Sequence, residues 1–173
     1  TERHLLEQCI SYEDLRTAIR YGQSWVDYPG YADRKAWEER VAPEMKEIII
    51  RNGEKALTHI WKPDLASDYL AFKRTGEIRT GRANHRALQA LTLAELVEGK
   101  GRFMDAIIDG TWFLCETSWI HSAHLGFQKD RSGLPDRNEP TIELVVADIG
   151  AQMAWTYYFL KDEFDKVSPL INQ

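Results

Sequence analysis

The stretch NHRALQALTLAELVEGKGRFMDAIIDGTWFLCET, residues 84–117, decides the fold of this chain. Its first half carries apolar residues at helical spacing on one face, and Asn84 is the predicted N-cap of that helix. Gly99-Lys100-Gly101 predicts a turn between helices, since no strand precedes the glycines. The segment 102–117 is apolar on most sides, which predicts a second helix that is buried all round. The stretch therefore predicts two helices joined by a short connection.

The rest of the chain also shows helical patterns and almost no strand signal. Further helices are predicted over 12–21, 33–40, 43–57, 67–74 and 142–160. Ser11, Pro43 and Thr141 mark three of the predicted starts, and Gly22 and Gly76 mark two of the predicted ends. A long polar loop is predicted over 119–138. Helix pairs with short connections, separated by loops of very unequal length, predict an all-α fold. We expect a partial (α/α) toroid that forms a single domain over residues 1–173.

Composition narrows the classes of function. A formal net charge of −5 argues against nucleic acid as a partner. No apolar run is long enough to span a bilayer, so no membrane is expected as a partner. The N-terminal residues show no signal peptide, which predicts a cytoplasmic chain, or a secreted one if a leader has been removed. Cys9 and Cys115 match no disulfide or metal spacing, and Cys115 is predicted to be a small buried residue. No cofactor-binding motif is present, and no cofactor is expected.

Several segments in a fixed order resemble one family. They are AELVEGKGRF (94–103), IIDGTW (107–112), CETSW (115–119), Ala123-His124, LPD (134–136), AWTYY (154–158) and VSPLI (167–171), preceded by GEKAL (53–57) and FKRTG (72–76). Together they resemble the N-terminal part of heparinase II/III-like polysaccharide lyases. The resemblance runs from about Asp33 to the end of the chain, and no single motif in it is diagnostic.

The resemblance implies an incomplete toroid that β-sandwich domains follow in full-length relatives. The implied reaction is β-elimination on an acidic polysaccharide or oligosaccharide. A Tyr or His base removes a proton beside a carboxylate that Asn or His neutralises, because negative charge develops there. In the family these residues follow the Ser-Pro-Leu-Ile element, so the catalytic residues are expected outside this segment, which should be inactive alone. A partial toroid would also expose apolar helix faces, which predicts self-association.

The loop after residue 115 holds the first candidate binding residues. Glu116, Trp119, His121 and His124 lie within nine positions, and an indole beside imidazoles could bind a sugar ring and its carboxylate. Trp119 and His124 match the family pattern. The alternative is that Trp119 packs on the core and the histidines cap or cover the loop. Two histidines could also hold a metal, but no third ligand is evident, and no metal is predicted.

A basic run and two aromatic groups complete the candidates. The run comprises Lys73, Arg74, Arg79, Arg82, His85 and Arg86, and we single out Arg82 and Arg86 as candidate carboxylate ligands. The alternative is an ordinary solvated surface. The aromatic groups, which could line a sugar subsite or pack in the core, are Trp25, Tyr28, Tyr31 and Trp37 near the start and Trp155, Tyr157 and Tyr158 near the end.

Two other functions compete with a lyase segment. One is a non-catalytic helical module that binds glycan or protein. The other is an (α/α)-toroid glycoside hydrolase, which would need two opposed carboxylates from Glu116, Asp136, Glu143 and Asp148. Lyase products absorb ultraviolet light through a new double bond and hydrolase products do not. Ser168-Pro169 predicts a new element close to Gln173, so the natural chain is expected to continue.

Overall fold

The computed structural model describes residues 5–19 and 26–173, and all regular structure within these ranges is helical. The helices are α1 (Leu5–Cys9), α2 (Tyr12–Ala18), α3 (Arg34–Arg40), α4 (Pro43–Ala56), α5 (Ala66–Thr75), α6 (Ala83–Glu98), α7 (Met104–Cys115) and α8 (Leu144–Val167), with 3₁₀ helices at Ser122–Phe127 and Pro169–Asn172. The predicted all-α class is confirmed. Trp25 and Gly22, which entered the sequence predictions, lie outside the described residues.

Helix α6 lies at the centre of the molecule. It packs against α4, α7, α8 and α3, and its residues Leu88, Leu91 and Ala94 are fully buried. The prediction that the helix after it would be buried all round is wrong. Helix α7 packs on α6 with Ile107 and Leu114, while its Trp112 is 57% exposed. Apolar composition alone did not distinguish the central helix from its neighbour, because a helix is buried on all sides only when other helices surround it.

Most predicted helix ends agree with the structure. Pro43 is the first residue of α4, and Gly76 and Gly99 end α5 and α6 in the left-handed conformation, with φ of 76° and 65°. Asn84, however, does not cap α6, because the helix begins two residues earlier than predicted, with Arg82 at the N-cap position. The Asn84 side chain instead donates from Nδ2 to the Lys62 carbonyl at 2.8 Å. It holds the segment before α6 against the first turn of the helix.

Helix α8 begins two residues later than the sequence predicts. Its N-cap is Glu143, whose carboxylate accepts hydrogen bonds from the backbone N–H groups of Val145 and Val146 at 2.9 and 3.0 Å. The Thr141 hydroxyl donates to the Glu139 carbonyl instead. The helix then runs for 24 residues, and Ser168 caps the 3₁₀ helix that follows.

The prediction that Cys115 would be buried is also wrong, since this side chain lies at the exposed end of α7.

No helix in the described part of the chain is long and apolar enough to cross a membrane. The packing of α4, α7 and α8 around α6 does not conflict with part of a helical toroid. The toroid itself stays a prediction.

Candidate ligand-binding cleft

A cleft of about 650 Å³ lies between α6, α8 and the segment before α3. Its lining comprises Tyr28, Trp37, Arg82, His85, Arg86, Gln89, Thr92, Leu93, Leu96, Asp148, Ala151, Gln152, Trp155, Thr156 and Phe159. This is the size range of small-ligand sites in proteins. The lining is apolar and aromatic with a few charged and amide side chains, which is the usual composition of such a site.

Three polar contacts join the two helices along the cleft. Arg82 Nη1 lies 3.2 Å from Asp148 Oδ2, and Gln152 Nε2 donates to the His85 carbonyl at 2.9 Å. Further along, the hydroxyls of Thr92 and Thr156 lie 3.3 Å apart. The partners occur in the same order on both helices, so α6 and α8 run in the same direction. From Asp148 to Phe159 the cleft follows α8 for about 16 Å, at a rise of about 1.5 Å per residue.

One end of the cleft is aromatic. The ring of Trp155 stacks on Phe159 with centroids 5.7 Å apart, and Tyr28 meets both rings edge-on at 6.3 Å. Trp37 is buried behind them. Tyr28 is 52% exposed and Trp155 is 39% exposed, so both keep an open surface. The two aromatic groups of the sequence analysis thus each contribute to one wall. Trp155 gives this wall an exposed indole ring of the kind that stacks on sugars, whereas the Arg40 guanidinium lies over the Tyr28 ring, 4.6 Å from its centroid.

The other end of the cleft is cationic. Arg82 is paired with Asp148, whereas Arg86 is exposed and forms no ion pair with any residue that the structure describes. His85 lies between them and is buried. Burial, the largest cause, lowers the pKa of His85, and the charges of Arg82 and Arg86 lower it further. His85 is therefore neutral near pH 7, and the arginines supply the positive charge of the cleft.

Arg82 and Arg86 are the only two of the six candidate ligands that line this cleft. Trp119 packs against the main core, and its indole N–H donates to the Leu114 carbonyl at 2.7 Å. Glu116 lies exposed at the end of α7. Of the remaining basic run, Arg79 pairs with Glu77 at 2.7 Å, away from the cleft.

His121 and His124 form a second cluster, at the N-terminus of α8. His124 Nδ1 makes a short hydrogen bond with Glu143 Oε2, and the other carboxylate oxygen accepts from the His121 backbone N–H at 3.4 Å. Burial, the largest single cause, raises the pKa of Glu143. The hydrogen bonds from the Val145 and Val146 N–H groups and from His124 together outweigh burial, so the pKa lies below its ordinary value. Glu143 thus joins the 119–138 loop to α8, a role that its spacing in the sequence did not reveal.

The histidine cluster and the cationic end of the cleft are neighbours. A polar cavity of about 30 Å³, large enough for a water molecule, is lined by His85, Trp119, His121 and other residues. His85 lines both this cavity and the cleft, and the pKa of His121 is lowered chiefly by burial, with smaller contributions from His124 and Arg82. The histidine cluster therefore lies next to the cationic end of the cleft.

The sequence matches no protein-family model, and no curated protein is significantly similar to it. Within residues 5–19 and 26–173, no group of three or more His, Cys, Asp or Glu side chains is placed to hold a metal ion. The cleft is therefore the feature that indicates what the chain can bind.

The histidine cluster predicts a stability that depends on pH. His121 Nδ1 accepts from the Ala123 backbone N–H at 3.3 Å, which requires an unprotonated nitrogen, and burial chiefly lowers the pKa of His121. The unfolded chain then binds the proton more readily, so the free energy of unfolding should fall as pH drops below the ordinary histidine value of about 6.5. Thermal unfolding at pH 7.5 and pH 5.5 measures this difference.

The matched variant is His121→Asn, because asparagine also caps a helix through a side-chain oxygen but does not titrate. We expect it to unfold near the parent temperature at pH 7.5 and to lose less stability at pH 5.5. The lowered pKa of His85 should preserve part of the pH dependence. An equal loss in parent and variant would rule out His121 as a source of it.

Proposed function

We propose that this chain forms one wall of a binding site for an acidic oligosaccharide, as the N-terminal part of a heparinase II/III-like lyase. The observation that carries the proposal is the cleft between α6 and α8, which has exposed aromatic rings at one end and an unpaired arginine, within the described residues, at the other. Sugar rings present apolar faces that stack on aromatic side chains, and uronic acids carry a carboxylate that arginine binds with two hydrogen bonds.

The middle of the cleft suits hydroxyl groups. Gln89, Thr92 and Gln152 line it between the charged and aromatic ends. The Gln152 side-chain N–H donates to the His85 backbone carbonyl. The Gln152 side-chain oxygen forms no hydrogen bond with a described residue, so it can accept one from a ligand. Hydroxyl-rich ligands need donors and acceptors of this kind spread along their length.

We expect the chain alone to bind without cleaving. The resemblance puts the base and the carboxylate-neutralising residue after the Ser168-Pro169-Leu170-Ile171 element, and β-elimination needs both. The hydrolase alternative has less support. Of its four candidate carboxylates only Asp148 lines the cleft, where it is paired with Arg82, and the Glu143 carboxylate already accepts several hydrogen bonds.

Binding should depend on both ends of the cleft. We expect Arg86→Ala and Trp155→Ala each to weaken the binding of a uronic-acid hexasaccharide by about fivefold to tenfold, the size typical of one charge pair or one aromatic contact. Isothermal titration calorimetry measures the affinity, with a neutral hexasaccharide as the matched ligand. The absorbance of unsaturated products, recorded in the same samples, should not rise.

Arg51→Ala is the control, because Arg51 is an exposed arginine on α4 that does not line the cleft. It should bind as the parent does. Equal affinity for neutral and acidic sugars, or no loss in either cleft variant, would contradict the proposal. Absorbance that rises with the parent chain would show that the segment carries its own catalytic residues.

Self-association also stays a prediction. Phe127, Ile142 and Leu144 are each more than 70% exposed around the start of α8. Exposed apolar side chains in one region are a common feature of protein interfaces. They support an interaction at this end of the helix.

A further inference from the structure

We infer that Asp148 makes the cleft select sparsely charged, carboxylate-bearing oligosaccharides over densely sulfated ones. The inference rests on the proposed function and names the ligand class within it. It depends on the position of Asp148, which lines the cleft and lies directly beside one of its two arginines.

The Asp148 carboxylate forms an ion pair with Arg82. The two side chains lie 3.2 Å apart on opposite walls and are 36% and 59% exposed, so both face the solvent of the cleft. A ligand anion that approaches Arg82 must compete with this carboxylate and is repelled by it. Arg86, one helical turn further along α6, has no such competitor among the described residues and is the cation open to a ligand.

The charges of the cleft therefore nearly cancel. Arg82, Arg86 and Asp148 are the charged side chains of its described lining, and their sum is +1, from two cations and one anion. His85 adds no charge near pH 7, because burial lowers its pKa. A net charge of +1 over about 16 Å suits one carboxylate along this length. A heavily sulfated chain would bring several anions into the same span and leave most of them unmatched.

The surroundings add to this selectivity. The whole chain has a formal net charge of −5, so its long-range field repels polyanions. Local pairing must overcome this repulsion, and only Arg86 is free to do so within the described lining. A ligand segment with a single uronic acid gains the ion pair with Arg86 and meets the least repulsion from the negative charges of the chain.

Removal of the Asp148 charge should relax the selectivity. We compare the parent with Asp148→Asn for a hyaluronan hexasaccharide, which carries carboxylates only, and a heparin hexasaccharide, which carries sulfates as well. The parent should bind hyaluronan more tightly. Asp148→Asn should bind heparin about fivefold more tightly than the parent does, the size of one exposed charge pair, with a smaller gain for hyaluronan. Its heparin affinity should also fall more steeply with salt.

Asp109→Asn is the matched control, because it removes one negative charge from an exposed position on α7 outside the cleft. It should leave the ratio of the two affinities unchanged. The inference is overturned if the parent prefers heparin, or if both variants change the ratio equally. These outcomes leave glycan binding intact, whereas a parent that binds neither probe would overturn the proposed function as well.

Discussion

Gly53→Ala should lower the free energy of unfolding by about 2–3 kcal/mol, although alanine is the better helix former by about 1 kcal/mol. Gly53 is buried inside α4, where this helix packs against α6. A Cβ at this position would lie 2.2 Å from the Cβ of Ala94 and 3.2 Å from the Phe103 ring. Neither helix can relieve the contact by rotating a side chain, so the helices must separate. Urea denaturation followed by circular dichroism measures the loss.

Two further variants isolate the cause. Ala94→Gly removes the opposing methyl group, so the double variant should regain part of the stability that Gly53→Ala loses. Gly150→Ala is the control inside α8, because its new Cβ would meet only the Trp119 ring at 4.0 Å. It should be neutral or stabilising by about 0.5–1 kcal/mol. A destabilised Gly150→Ala, or a double variant without any recovery, would show that helix separation is not the cause.

Glu95→Ala should cost about 3–5 kcal/mol, the range for breaking a buried, fully bonded polar network. The Glu95 side chain is completely buried. Its Oε1 accepts from the Tyr31 hydroxyl at 2.6 Å and the Gly101 N–H at 2.7 Å, and its Oε2 accepts from the Phe103 N–H at 3.1 Å. Burial, aided by the hydrogen bond to Glu95, raises the pKa of Tyr31, so this hydroxyl stays a donor. The carboxylate joins the turn before α7 to the segment before α3.

Glu95→Gln tests whether the charge itself matters. Glutamine has the same shape, but its NH₂ group would face a backbone N–H that needs an acceptor, so we expect a loss of about 1–3 kcal/mol. Glu47→Gln on the exposed face of α4 is the control and should change stability by less than about 0.5 kcal/mol. Equal stability of Glu95→Gln and the parent would mean that neither the negative charge nor the contact that the NH₂ group replaces contributes to stability.

These two positions show where sequence reasoning succeeded and failed. Gly53 lies inside the helix predicted over 43–57, and the reason for a glycine there is the close approach of Ala94 on another helix. Glu95 is of a charged residue type that is seldom buried, yet its carboxylate is completely buried and accepts from Tyr31, 64 positions away, as well as from two later backbone N–H groups. Both depend on contacts between distant parts of the chain, which local spacing does not contain.

The candidate site was predicted in part. Arg82 and Arg86 were chosen from a basic run, and the structure places both in the cleft. Tyr28 and Trp155 were recognised in separate aromatic groups but not as partners. Trp119 was proposed as a sugar-stacking residue, and the structure shows its N–H bonded to a carbonyl and its ring packed on the core. Binding by these residues stays a prediction.

The sequence by itself determined most of the longer helical segments and several of their ends, but it did not indicate α1 or the 3₁₀ helix at Ser122–Phe127. Pro43, Gly76 and Gly99 act through the conformation of their own backbone, so their effect is readable without any partner. Only the tertiary structure decided that α6 is central and that a cleft exists. Arg82 and Asp148 are 66 positions apart, and the pairing of their helices depends on packing around α6. The physical reason is that backbone preferences act within a few residues, whereas a binding site forms where surfaces from separate helices meet.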